Sequence, residues 1–113
     1  MHEMALCESI LGIIEEEAQR QSFARVSAVW LEIGMLSHAD PDALRFCFDA
    51  VTRDTIASAA RLEIVTVPGE AWCMRCMAPV TIAARHDPCP SCGGFQLQVT
   101  GGDDMRVKEL EVA

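Results

Sequence analysis

The sequence predicts an α+β protein: a small three-stranded mixed sheet with two helices, plus an inserted zinc-ribbon domain. Three observations lead there. Two segments carry apolar residues at helical spacing, three others alternate as strands do, and a stretch rich in cysteine, proline and glycine interrupts the series before its last strand. The expected division is residues 1–68 with 103–113 for the first domain and 69–102 for the insert. A chain of 113 residues has room for one small domain carrying a smaller one.

The first helix is expected from Met4 to about Arg20. Cys7, Ile10, Leu11, Ile14 and Ala18 fall on one face, with Glu15, Glu16 and Glu17 mostly outside. Arg25 to Met35 reads as a strand in which Val29, Leu31 and Ile33 alternate with Trp30 and Glu32, and Gly34 marks a bulge or the strand end. Asp40-Pro41-Asp42 opens the second helix, with Asp40 as N-cap, Pro41 at the first helical position and Asp42 against the positive helix end. Leu44, Cys47, Phe48 and Val51 continue it as a buried stripe ending near Arg53 to Ser58. Cys7 and Cys47 therefore read as small core side chains. Arg61 to Val67 is the second strand, stopped by Pro68-Gly69. Gly101-Gly102-Asp103-Asp104 reads as a flexible joint. Met105 to Val112 returns to strand character, although the differing parity of Val107 and Leu110 implies a bulge or an early end.

The insert is built on Cys73-Met74-Arg75-Cys76 and Cys89-Pro90-Ser91-Cys92, a C-x2-C-x12-C-x2-C pattern. Each C-x2-C bend turns two sulfurs to one side, and two facing bends make a closed thiolate tetrahedron of the kind zinc takes in structural sites. The gap is shorter than the usual ~15–20 residues, which suits a small ribbon with two short strands between the knuckles. Pro88, Pro90, Gly93 and Gly94 supply turn residues around the second bend. A redox pair or two disulfides fit two such bends less well than a metal does, while iron takes the same four sulfurs.

Composition excludes several classes of function. The formal net charge is -8, which repels phosphate backbones and argues against nucleic acid as a partner. No apolar run approaches a membrane span. The start Met1-His2-Glu3-Met4 lacks the basic and apolar pattern of a signal peptide, so a reducing cytoplasm is the expected setting, and it favours metal over disulfides. No catalytic triad, phosphate loop or open zinc motif is visible, so the chain reads as a non-enzyme.

The N-terminus is the second chemically loaded place. The Met1 amine, the deprotonated His2 amide and the His2 ring nitrogen can close five- and six-membered chelate rings, with Glu3 or a nearby carboxylate as an oxygen donor. A planar set of nitrogen and oxygen donors is the set Cu(II) or Ni(II) takes. A histidine at a chain start is otherwise merely solvated.

Met1-His2-Glu3, the run Val29-Trp30-Leu31-Glu32-Ile33-Gly34, the run Phe46-Cys47-Phe48-Asp49 and the four-cysteine pattern occur together here. So does the ending Met105-Arg106-Val107 into Glu109-Leu110-Glu111. In this combination the whole chain resembles the HypA/HybF family of hydrogenase maturation factors. The resemblance implies a nickel metallochaperone whose nickel site uses Met1, His2 and Glu3, with Asp40 matched by position. Asp40's capping role competes with that assignment. Zinc is implied at Cys73, Cys76, Cys89 and Cys92 as a structural cofactor, with Ni(II) as transient cargo. The implied partners are the nickel-handling GTPase HypB and the large subunit of a nickel-iron hydrogenase; a homodimer stays open. Some members carry a histidine directly after each C-x-x-C and exchange it for a sulfur. Met77 and Gly93 stand there in this chain, which argues against such an exchange, and His86 reads as an exposed loop residue. The competing account is a zinc-ribbon interaction module that carries no cargo metal.

Overall fold

The structure, a computed structural model, describes Glu3–Ala113; Met1 and His2, and with them the nitrogen ligands of the expected nickel site, lie outside the described residues. The chain forms two compact units. One combines the segments up to Leu31, Ala39–Val65 and Arg106–Ala113, and the other combines Glu32–His38 with Thr66–Met105.

In the first unit, helix α1 (Glu3–Gln21) buries Cys7, Ile10 and Ile14. Leu11 and Ala18 are partly covered, which is the stripe expected from the spacing. Helix α2 (Pro41–Thr52) packs on α1 and buries Leu44, Phe48 and Thr52. Its start follows the sequence signal: the Asp40 carboxylate accepts a hydrogen bond from the Asp42 amide at 3.0 Å, and Pro41 takes the first turn. Its end comes at Thr52, just before the expected window. The Thr52 carbonyl there accepts from both the amide and the hydroxyl of Thr55, at 3.0 and 2.5 Å, and the chain continues in turns over 53–59. Cys47 is only half-buried, unlike Cys7, which is fully buried; the helical stripe placed both in the core, but Cys47 lies at its margin.

Strands β1 (Val26–Gly34), β2 (Arg61–Val67) and β6 (Met105–Val112) form a three-stranded mixed sheet in the order β2-β1-β6. The central position of β1 explains its burial: Val26, Ala28, Val29, Leu31 and Ile33 are all covered. Its last residue is Gly34, so that glycine marks the strand end. Strand β6 runs on to Val112 instead of stopping early, and its burial changes parity between Val107 and Leu110 as the sequence indicates.

The second unit holds three further strands, β3 (Gly69–Cys73), β4 (Ala78–Ile82) and β5 (Leu97–Gly101), all antiparallel in the order β4-β3-β5. Only β4 lies between the two cysteine pairs; β3 leads into the first and β5 follows the second. The expected pair of strands between the knuckles is therefore replaced by a sheet built around β3, whose strand character begins directly after Pro68. Leu36, Ala71 and Ile82 form its core, flanked by Val80, Leu97 and Val99.

The glycine run after β5 is not a free joint. The Gly34 amide donates to the Asp104 carbonyl and the Leu36 amide to the Gly102 carbonyl, each at 2.8 Å. Gly102 has φ +75°, and a Cβ there would collide with the carbonyl oxygen of Pro68, while a Cβ on Gly34 would collide with that of Gly102. Three chain segments thus meet backbone to backbone, which only glycine allows. Gly34→Ala or Gly102→Ala is expected to lower stability by roughly 2–4 kcal/mol through overpacking, with added backbone strain at Gly102. Denaturant midpoints of the two variants check this. A loss no larger than that of Gly12→Ala, where a Cβ meets nothing within 4 Å, would contradict it.

Candidate metal centre

Alternation along β3 places the first sulfur. Gly69, Ala71 and Cys73 are buried while Glu70 and Trp72 point outward, so Cys73 ends the strand on its covered side. The chain then turns through Met77, whose amide donates to the Cys73 carbonyl at 2.8 Å and whose φ is 55°. The second bend repeats the pattern. The Gly93 amide donates to the Cys89 carbonyl at 2.8 Å, and Gly93 has φ 75°. The two C-x-x-C turns are thus built alike, each closed by the residue after its second cysteine in the left-handed region.

The four sulfurs converge. All lie within 4.8 Å of one another, and among the described residues this is the group of His, Cys, Asp or Glu side chains placed to hold a metal ion. Cys73 Sγ is 3.8 Å from Cys92 Sγ, and Cys76 Sγ is 3.9 Å from Cys89 Sγ. A metal–sulfur bond of about 2.3 Å in a regular tetrahedron implies sulfur–sulfur edges of about 3.8 Å. Two edges of the cage therefore match those of a tetrahedral thiophilic ion's site. Both short contacts run between the knuckles, not within a C-x-x-C, and all six cysteines are free thiols. A redox pair or a disulfide framework would join sulfurs at about 2.05 Å instead.

The backbone prepares two of the sulfurs for negative charge. The Cys76 amide donates to Cys73 Sγ at 3.3 Å and the Ser91 amide to Cys89 Sγ at 3.4 Å. Amide donation from Cys92 and then Ser91 draws the Cys89 thiol down to about 6, against an opposing push from burial. The neighbouring sulfurs of Cys92 and Cys73 push Cys76 up to about 12. Four thiolates packed this closely repel one another, and a divalent cation at their centre removes that repulsion. Cys73 and Cys89 are almost wholly buried and Cys76 and Cys92 half-buried, so the cage has four protein ligands and little exposed edge.

Asp87 shapes the approach to the second bend. Its carboxylate accepts from the amides of Ala83 and Ala84 at 3.0 and 3.1 Å, holding the loop before Pro88. The sequence signal for this role was an Asp before Pro in a turn. His86 in the same loop is exposed.

The other expected site residues lie in the first unit. Glu3 opens α1, where the helix end favours a carboxylate. Its Oε2 accepts from the Asp40 amide at 3.5 Å, so these two acidic residues, far apart in sequence, stand side by side. Asp40 uses Oδ1 to cap α2. Cys7 and Cys47 are not part of the four-sulfur cage.

The chain matches the family model described as "Hydrogenase/urease nickel incorporation, metallochaperone, hypA" over residues 1–112. It belongs to the HypA family. Among curated relatives, the hydrogenase maturation factor HypA of Rhodopseudomonas palustris (strain BisA53) is 65% identical over 112 residues, covering 99% of both chains. That of Albidiferax ferrireducens is 61% identical over the same length and coverage. The solution structure of the Ni metallochaperone HypA from Helicobacter pylori superposes with a TM-score of 0.74 at 25% identity, covering 99% of this chain and 97% of that one. As a HypA-family member the protein is a nickel metallochaperone for hydrogenase maturation, not an enzyme, and its four-cysteine cluster is a metal-binding centre. Among the described residues, no helix is long and apolar enough to cross a membrane.

Proposed function

We propose that Ni(II) binds at the N-terminus through the Met1 amine, the His2 amide and ring nitrogens and the Glu3 carboxylate. Asp40 is an adjacent oxygen donor, and zinc occupies Cys73, Cys76, Cys89 and Cys92. On this reading residues 1–68 with 103–113 carry the cargo site and 69–102 the zinc scaffold. The cargo passes in the cytoplasm to the large subunit of a nickel-iron hydrogenase, with the GTPase HypB as the nickel-handling partner. The observation that carries the reading is the meeting of the Glu3 carboxylate with the Asp40 backbone amide at 3.5 Å, which brings the start of α1 to the start of α2.

Physical chemistry supports the division of labour. A terminal chelate has an open coordination edge that a receiving site can attack. A closed thiolate cage has none, and its binding energy is spent on folding. Metal analysis of the untagged protein tests this: one tightly held zinc, and one nickel that a competing chelator removes.

Asp40 can be separated from its capping role. Asp40→Asn keeps an equally good N-cap, whereas Asp40→Ala loses about 1 kcal/mol of helix stability. If Asp40 donates an oxygen to nickel, Asp40→Asn weakens Ni(II) affinity with an unchanged thermal midpoint. Unchanged affinity in that variant assigns Asp40 to the helix alone.

A further inference from the structure

Cys7 and Cys47 are the cysteines outside the metal cage. Cys7 is fully buried on α1, and its thiol donates to the Leu44 carbonyl of α2 at 3.4 Å. Cys47 follows Leu44 by three residues on α2, so the two side chains are neighbours on the helix surface. Cys47 is half-buried and thus reachable from solvent. Burial first, then negative charge at Cys47 and at Glu3, pushes the Cys7 thiol up to about 11. A small side chain on each of two packed helices also lets the backbones come close.

We propose that Cys7 and Cys47 form a reversible disulfide across the packing of α1 on α2, made by exchange with a small-molecule disulfide such as glutathione disulfide. Cys47, the accessible partner, loses its proton and attacks one sulfur of the reagent; the other half leaves as a thiolate and takes up a proton. Cys7 then loses its proton and attacks the Cys47 sulfur, displacing the second half, which is protonated in turn. Two protein thiols become one disulfide and the reagent becomes two thiols, so atoms and electrons balance. Little Cys7 is thiolate at neutral pH, so the second step is the slow one. The bridge forms under sustained oxidation and not with every encounter. It would tie α1, which opens with Glu3, to α2, which Asp40 caps.

The test treats the zinc-loaded full chain with glutathione disulfide and follows intact mass, zinc content and non-reduced peptide maps. The expected product has lost two hydrogens, yields a linked peptide containing Cys7 and Cys47, keeps its zinc, and melts at a higher temperature until reductant is added. In Cys7→Ala the mixed disulfide at Cys47 should persist where the wild type resolves it; Cys47→Ser should form neither adduct nor bridge. A wild-type chain that stops at the Cys47 mixed disulfide, that does not react, or that forms bridges only with zinc loss overturns the proposal, and these readouts need no variant to fold.

Discussion

His2→Ala should lower Ni(II) affinity at least ~10- to 100-fold, since losing even a supporting partner of a metal ligand has effects of that size. A short Gly-Ser extension ahead of Met1 should do the same, and the second variant is the more telling. It keeps every side chain and only converts the terminal amine into a peptide nitrogen. An amide nitrogen gives up its proton to nickel only when an adjacent donor anchors the ion, so losing the amine removes the His2 amide as well. Glu3→Gln should have a smaller effect, with Asp40 nearby at the Glu3 contact of 3.5 Å and water able to fill one position. Protons compete for the same nitrogens. Binding therefore weakens as pH drops through the ordinary amine range near ~8 and on through the imidazole range near ~6.5. Calorimetric titration in a buffer that does not bind metal, with zinc content measured in parallel, checks all of this. Unchanged nickel affinity in both His2→Ala and the extended chain would remove the N-terminal site. A zinc-ribbon interaction module would then be the better account.

Cys73→Ser or Cys92→Ser should release the cage metal and unfold the sheet β4-β3-β5 around it. Each variant breaks one of the two short sulfur contacts, between Cys73 and Cys92 at 3.8 Å. Structural zinc of this kind contributes about 10–16 kcal/mol of apparent binding energy at neutral pH, and that energy is folding energy. The core of Leu36, Ala71 and Ile82 is too small to replace it. The α1–α2 pair has its own buried stripe and should stay folded. Hydrogen exchange gives the sharpest readout: Ala71 and Cys73 should lose protection while Ile10 and Phe48 keep theirs. The amides of Gly34 and Leu36 report where the metal-dependent unit ends, because they bond to Asp104 and Gly102. Loss of protection there extends the unit to Glu32–His38. A single transition that melts α1 and α2 together with the cage would refute the independence of the first unit.

The helices, most of the strands and the clustering of four sulfurs were legible in the chain itself, because each rests on local spacing. A stripe such as Cys7, Ile10 and Ile14 needs only the helical period, and the α2 start needs only Asp40 and Pro41. The cysteine pairs announce a cage because a C-x-x-C turn orients its own sulfurs whatever surrounds it. Other features depend on residues distant in sequence. Periodicity put Cys7 and Cys47 on equal terms, yet only packing decides that one is sealed and the other sits at the margin. Glycines 34 and 102 read as a strand end and a joint; what they permit is a backbone collision avoided between segments nearly seventy residues apart, which no local pattern encodes. Glu3 and Asp40 could each be noticed alone, but their 3.5 Å contact exists only once α1 and the start of α2 have come together. Local chemistry thus determined which residues can bind, turn or cap. Long-range packing decided which of them meet, because proximity across the chain is set by how buried surfaces fit and not by the order of residues.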